Sequence, residues 1–554
     1  MKYFWRAIGI FFFLLAGKFS EAQYTHQDTL RGTIGPERSW WDVLHYDISV
    51  TPDYNNKTIT GRTTIQYKVL PNQKSDYLQI DLQQPLKIDT LFYDEKLYIN
   101  YPGKPYYNEG NVWHIPLPKA AVNSIHSISI AYHGNPRIAV RAPWDGGWIF
   151  TRDEKGRPWM TVACQGLGAS VWYPCKDHQS DEPDNGATLS ITVVDSLVAV
   201  GNGRLKNKIS GNGMTTWSWE VKNPINSYNI VPYIGKYVNF TDTLMGEKGN
   251  LDCSYWVLDY NLDKAKKQFG RDVKPMLHCF EYWFGPYPFY EDSYKLVESS
   301  HLGMEHQSAT AYGNHYVNGY YSGGNGFDLS GSGWGMKWDY IIVHESGHEW
   351  FANNITTNDI ADMWVHEGFT DYSEPLFVEC QYGKKAADEY CQGLRRNIQN
   401  DVPVIGPYGV NKEGSGDMYA KGANMLHTIR QVINDDEKFR QILRGLNKDF
   451  YHKTVDSRDV ERYMSEKSGI DLSKIFDQYL RTVRVPVLEY KMDGKKLSYR
   501  WTNCVDGFNL PVQIGTAPGF WLKPTLSWQE TELPSNYSIE DINKNFYITV
   551  KKAR

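Results

Sequence analysis

The chain has 554 residues, of which 41% are hydrophobic, 14% aromatic and 22% charged. A composition this rich in bulky side chains can bury a large core, which excludes a disordered or low-complexity protein, and the length is that of three or four domains. Fifty-nine Lys and Arg against 64 Asp and Glu give a formal charge of −5 with no basic block, so nucleic acid is a poor partner.

Residues 1–22 read as an export signal. Lys2 and Arg6 form a positive start, Ala7–Gly17 is an apolar run, and Ser20-Glu21-Ala22 is a small-x-small cleavage site. The competing reading is an uncleaved anchor, but the run falls short of the ~20 residues that span a bilayer. The expectation is an exported protein, periplasmic or extracellular, cleaved after Ala22 and without stable membrane insertion. Its 7 cysteines lack Cys-x-x-Cys spacing, which disfavours a thiolate metal or redox site. Cys164/Cys175 and Cys380/Cys391 are the candidate local disulfides, and connectivity stays open.

From Trp40 to Lys236 the pattern has period two. Ile65, Tyr67 and Val69 alternate with polar neighbours, as do Leu78/Ile80/Leu82, Ile128/Ile130/Tyr132, Leu189/Ile191/Val193 and Trp217/Trp219/Val221. Such runs between turn residues predict an antiparallel β domain over 23–239. From about Asp259 the period lengthens. Asp339–Asn353 is interrupted only by Gly347, and Met425, Ile429, Val432 and Ile433 share one helical face, so 240–484 is expected to be mainly helical. Alternation returns at Leu497–Trp501, Pro511–Ile514 and Phe546–Val550, predicting a small β domain over 485–554. The fold class is therefore multidomain α+β. Gly319–Gly335 reads as a long loop, since no Gly-Lys-Ser/Thr follows to make a phosphate cradle.

The chemistry is concentrated in His344-Glu345-Ser346-Gly347-His348. On a helix both imidazoles face one ion, while Glu345 leans toward a water on it. Glu367 lies nineteen positions after His348, at the start of a second predicted helix beginning at Trp364. A turn through Thr356–Asp362 can bring its carboxylate back to complete a His₂Glu set, which suits zinc and leaves a coordination position open. His366 is the rival ligand; as the neighbour of Glu367 it faces about 100° away, toward an outer position or the surface.

These motifs, with Trp350-Phe351-Ala352-Asn353 and Trp364–Tyr372, resemble the signature of the M1 (gluzincin) zinc aminopeptidases. Gly303-Met304-Glu305-His306 resembles the family's G-x-M-E-N motif, and Tyr419-Ala420-Lys421-Gly422-Ala423 its Y-x-K-G-A segment, all in the family's order. The resemblance covers Trp40 to Pro486 and implies a saddle-like β domain, a thermolysin-like catalytic domain and one Zn²⁺ per chain. It further implies that Glu345 is the general base, that Tyr419 holds the oxyanion, and that Glu305 pairs with the free amino terminus of a peptide substrate. Gly303, Met304 and His306 would line the substrate, His306 standing where the family usually has Asn. Gln165, ten positions before Cys175, is similar to the Gln of the leukotriene-hydrolase branch that helps hold the amine, while the Arg common in this segment is replaced near Ser170. Glu374, seven residues after Glu367, would orient a zinc-binding His. The large helical C-terminal domain of many members has no counterpart after Leu488, so a more open cleft covered by the Gly319–Gly335 loop is expected; epoxide hydrolysis is not carried over.

Three functions compete: an aminopeptidase, a metalloendopeptidase on the same fold, and an inactive peptide-binding protein. Glu305 in its motif argues against the second, and the intact ligands, Glu345 and Tyr419 argue against the third.

Overall fold

The structure is a computed structural model that describes residues 24–71, 73–98, 103–515 and 518–554; the expected signal peptide, residues 1–22, lies outside them. A seven-residue helix α1 (His26–Gly32) precedes the first strand. The period-two runs become a mostly antiparallel sheet of eight strands, except that Leu78 and Ile80 lie in strand Tyr77–Asp81 of a separate three-stranded sheet. The order of the eight is Arg204–Gly211, Met214–Val221, Ala187–Val194, Trp41–Asp53, Thr58–Val69, Ile125–Gly134, Lys87–Tyr93 and Lys96–Leu97. Register explains the alternation: Ile65 lies opposite Ile128, and Leu189 and Ile191 lie opposite Trp219 and Trp217, so each strand buries one face.

A five-stranded sheet then opens the second region, with Tyr237–Gly246, Gly249–Leu258, Tyr294–Glu298 and Thr310–Tyr312 in order and Gly303–Met304 at the edge. The region expected to be mainly helical therefore begins as a sheet. Helix α2 (Leu262–Phe284) lies between the strands Gly249–Leu258 and Tyr294–Glu298, and α3 (Tyr340–Gly347), α4 (Trp364–Tyr382), α5 (Lys384–Leu394) and α6 (Ala420–Ile433) follow the sheet. Met425, Ile429, Val432 and Ile433 are all buried on α6 as their spacing requires.

Two hydrophobic cores divide the molecule, and the five-stranded sheet marks their seam. Val297, Met304 and Ala311 belong to the core of the β domain, whereas Leu296 and Tyr312 belong to the core of the helices. Lys295 pins the seam, its ammonium donating to the carbonyls of Gly201, Gly203 and Ser308 at 3.1, 2.5 and 3.2 Å. Beyond the helices, Val487–Asp493, Lys496–Thr502, Gln529–Glu532 and Thr549–Lys552 form a small sheet, as the tail's alternation predicts. Phe546–Ile548 is not strand, and among the described residues the tail has no core of its own: Trp501, Ile514 and Phe546 join the core of the helices.

Two local expectations differ from the structure. The disulfide joins Cys279 to Cys380, with Cα atoms 6.1 Å apart, while Cys164, Cys175, Cys253, Cys391 and Cys504 are free thiols. The pairing follows from α4 packing on α2, which brings Cys380 to Cys279, while Cys391 on α5 is buried in the core. Helical geometry from Asp339 also stops short of Asn353, because Phe351 and Ala352 leave it, Ala352 with φ +132°.

Candidate active site

Helix α3 is short, apolar and wholly buried, and Asp339 caps its first turn by accepting the Ile342 N–H. Its four-residue spacing brings the His344 and His348 rings to 5.1 Å between centroids. Strand Ile355–Thr357 and a single turn at Ile360–Asp362 return the chain to α4, whose first turn carries Glu367. One ligand atom from each of His344, His348 and Glu367 lies within 4.8 Å of the other two. Glu367 Oε2 is 3.2 Å from His348 Nε2 and 3.7 Å from His344 Nε2.

The donor chemistry of this cluster fits a zinc ion. Both imidazoles have Nδ1 engaged: His344 donates to Glu374 Oε1 at 2.7 Å and His348 to the Phe351 carbonyl at 3.0 Å. That tautomer leaves Nε2 lone pairs facing Glu367, whose Oε2 is buried without a hydrogen-bond donor. The unwinding at Phe351 and Ala352 thus has a local consequence, since it turns the Phe351 carbonyl onto His348. Glu374 is fully buried and its second oxygen accepts the Tyr390 hydroxyl at 2.7 Å, which fixes the carboxylate that orients His344. His366 takes neither expected place. It is fully buried, its Nε2 accepts the Thr357 N–H at 2.9 Å, and burial pushes its pKa down to about 3.

A cavity of about 420 Å³ opens in front of the triad, lined by residues from both sides of the seam. Gln165, Gly303, Met304, Glu305, Glu345 and Tyr419 all border it, and Tyr320 of the Gly319–Gly335 segment closes one wall. That segment is not wholly loop, because Tyr320–Ser322 and Asn325–Phe327 pair as a hairpin. Glu305 and Glu345 each present an oxygen within 4.8 Å of the other and of a His348 nitrogen. Gly303 is required here: a Cβ on it would lie 2.5 Å from Glu345 Oε1. Tyr419 immediately precedes α6, and its ring stacks on His344, 5.9 Å between centroids and 25° from parallel.

Glu305 is buried and held from two directions. Gln165 Nε2 donates to its Oε1 at 2.5 Å, and the Tyr228 hydroxyl donates to the same oxygen at 2.8 Å. Asn353 Nδ2 donates to the Glu305 backbone carbonyl at 2.9 Å, and Asn353 Oδ1 accepts from Asn229 Nδ2 at 2.7 Å. Tyr228 and Asn353 are the participants that sequence reasoning missed. Tyr228 is one of 39 tyrosines and sits in no motif; Asn353 reads from sequence as a helix end. His306 is the expected site residue that the structure turns away. It is fully buried, does not border the cavity, and its Nδ1 lies 2.5 Å from the Tyr233 hydroxyl.

Burial dominates the electrostatics. It pushes Glu345 up to about 7 against the pull of His344 and His348, and raises Glu305 as well. Burial also opposes ionisation of Glu367, but His348 and His344 outweigh it and hold that carboxyl well below its usual range. Tyr419 is pushed up by burial and then by Glu367, so its hydroxyl keeps its proton and remains a donor.

The chain is similar in sequence and fold to known peptidases. The sequence matches the Peptidase family M1 domain over residues 273–479 and the Peptidase M1 N-terminal domain over residues 43–229. It is 23% identical over 482 residues to "Aminopeptidase 2, mitochondrial" of Saccharomyces cerevisiae, covering 82% of this chain and 48% of that protein. It is also 23% identical over 478 residues to "Aminopeptidase N" of Lactobacillus helveticus, covering 80% and 51%. The chain thus spans about half the length of the curated relatives it matches. Among solved structures, the M1 zinc metallopeptidase of Deinococcus radiodurans has the same fold, with a TM-score of 0.65 at 19% identity over 81% of this chain and 96% of that one. The matched segments lie on either side of the seam that the site straddles, and they show that this chain belongs to the M1 peptidase family, with Zn²⁺ as its cofactor.

Proposed function

We propose that the protein is an exported zinc aminopeptidase that removes the amino-terminal residue of peptides. The observation that carries this reading is Glu305, a buried carboxylate beside the metal triad, gripped by Gln165 and Tyr228 and open to the cavity. A substrate α-ammonium placed there forms an ion pair, whereas an internal peptide segment leaves a desolvated carboxylate unpaired. A point mutant of the M1 zinc metallopeptidase of Deinococcus radiodurans has been solved bound to a Tyr-Ser-Ala substrate, which supports a short peptide as the ligand class.

His344, His348 and Glu367 hold the zinc, which supplies Lewis-acid chemistry when bound, acidifying water and polarising the scissile carbonyl. Glu345 takes the proton of the attacking water and delivers it to the leaving amine, a task for which a carboxylate beside His348 and Glu305 is well placed. Tyr419 donates its hydroxyl to the oxygen on which negative charge develops. The free edge of Gly303–Met304 offers backbone groups to the extended substrate, and Met304 gives the first side chain an apolar wall.

Export is supported by the signal-like amino terminus and by the Cys279–Cys380 disulfide, a bond kept in oxidising compartments. Among the described residues no helix is long and apolar enough to cross a membrane. The test is mass spectrometry of one mixed-sequence peptide, free and amino-terminally acetylated. Stepwise loss from the free form alone is expected; internal cuts in both forms would overturn the reading.

A further inference from the structure

Behind the Gln165 loop lies a second cavity of about 500 Å³, polar and open to solvent, which shares Trp144 and Gly166 with the walls of the catalytic one. The backbone at Gly166 is therefore a thin partition with space on both sides. Cys164 and Ala169 anchor the two ends of this loop in the core, so the position of Gly166 between them depends on the few polar contacts that hold it.

Two side chains from distant segments grip the carbonyl of this partition, while Gln83 Nε2 holds the next one, that of Leu167, at 2.8 Å. The Gly166 carbonyl accepts from Arg31 Nη2 at 3.0 Å and from Asn411 Nδ2 at 3.3 Å. Arg31 lies in the last turn of α1, and α1 is fixed from below. Arg38, itself fully buried, donates to the carbonyls of Leu30, Arg31 and Thr33 at 3.1, 2.7 and 3.0 Å, capping the helix end, and to Asp81 Oδ2 at 2.5 Å. Gly32 fits so closely against the 409–411 segment that a Cβ would lie 2.4 Å from the Asn411 nitrogen. The Arg31 guanidinium also approaches the acidic group on which this loop is wound: Arg31 Nη2 and Asp177 Oδ2 both fall within 2.5 Å of where a Cβ on Gly168 would sit. Asp177 in turn accepts the Ser170 hydroxyl and the Ala169 and Ser170 N–H groups. One residue before the gripped carbonyl, Gln165 reaches Glu305.

We propose that Arg31 is a positioning residue for the amine pocket, holding the Gly166 carbonyl so that the Gln165 carboxamide stays against Glu305. The inference rests on the aminopeptidase reading for its kinetic consequence, but not for its structural one. Lysine keeps one donor and the charge but not the planar fork, so Arg31→Lys restores part of the function and Arg31→Ala none.

The experiment compares zinc-loaded wild type, R31A, R31K, Q165A and R31A/Q165A, first by hydrogen–deuterium exchange and then with an amino-acyl anilide. R31A is expected to speed amide exchange across residues 164–171 while leaving α3 and α4 protected. Its KM should rise about threefold, no more than the loss of the Gln165 contact itself, with kcat changed by less than about twofold. R31K should fall between, and the double variant should match Q165A, because both changes release the same contact. Unchanged exchange at 164–171 in R31A overturns the proposal whatever the enzyme cleaves. Additive KM effects in the double variant overturn it as well. If the wild type fails to distinguish free from acetylated substrates, the aminopeptidase reading falls, and the exchange comparison still decides the role of Arg31.

Discussion

Gln165 and Glu305 meet at 2.5 Å across the seam, one from a loop of the β domain and the other from the segment after the Gly303–Met304 edge strand. A carboxamide donor on one carboxylate oxygen leaves the charge of Glu305 in place while fixing where it points. The amine pocket therefore exists only when both domains are docked, and substitutions on the two sides should have different signatures. Glu305→Gln removes the charge that recognises an ammonium, so kcat/KM for a free amino-terminal substrate should fall about 10²–10³-fold. Gln165→Ala removes only the fixing contact and should cost about 3–10-fold, mostly in KM. Kinetics on one anilide substrate check both; equal losses would mean that Gln165 does more than orient Glu305.

Glu374 binds no substrate, yet it determines which nitrogen of His344 is free. Glu374→Gln replaces the acceptor of the Nδ1 proton with a weaker one, and Tyr390 no longer faces a charged partner. Zinc affinity should drop about 10–100-fold. Competition with a fluorescent chelator measures this without reference to turnover, and near-native affinity would leave Glu374 a packing residue.

Tyr419 keeps its proton and stacks on His344 without sharing that ring's hydrogen bond to Glu374. Tyr419→Phe should therefore retain zinc and peptide binding while kcat falls about 10²–10³-fold, the usual cost of one lost oxyanion donor. Zinc content by atomic absorption, beside kcat and KM, separates this from a collapsed site.

What was legible in the sequence was whatever short-range geometry dictates. His344 and His348 are one helical turn apart, so the helix alone brings them together; Glu367 needs one turn more. The strands were legible because a half-buried sheet imposes period two on Ile65, Tyr67 and Val69. What escaped depends on packing between distant segments. Tyr228 reaches Glu305 across 77 positions with no local pattern to mark it. Cys279 and Cys380 are 101 residues apart, and only the packing of α2 on α4 pairs them. His306 sits inside a recognisable motif but turns to Tyr233, because backbone direction, not residue type, decides which side of a strand end faces the cavity.

The disulfide closes a loop of 101 residues that contains α3, Glu345 and Glu367. In the chain-entropy description a loop of this size is worth up to about 4.7 kcal/mol against the unfolded state. Cys380→Ser, or reduction of the wild type under native conditions, should lower the melting temperature by several degrees while kcat on a short peptide stays within about twofold. Calorimetry with and without reductant checks it. An unchanged melting temperature would show that the helices need no bond between them.

Asp42 provides a pH test remote from the metal. Burial, then the charges of Asp181 and Asp184, raise its pKa from 3.8 to about 6, with Lys176 and Lys68 opposing. Lys176 is already paired with Asp181, and the Asp42 side chain has no hydrogen bond among the described residues. A carboxyl whose pKa is higher folded than unfolded binds more protons in the native state between those two values, so its contribution to stability is full below about 4 and is lost as pH rises through about 6. Asp42→Asn removes the ionising group without breaking a contact. The variant should melt with the wild type near pH 4 and above it near pH 8, the gap opening between the two pKa values. Melting curves across that range decide it: a gap that is constant with pH would trace the effect to packing instead of charge, and a gap that opens at acid pH would reverse the sign.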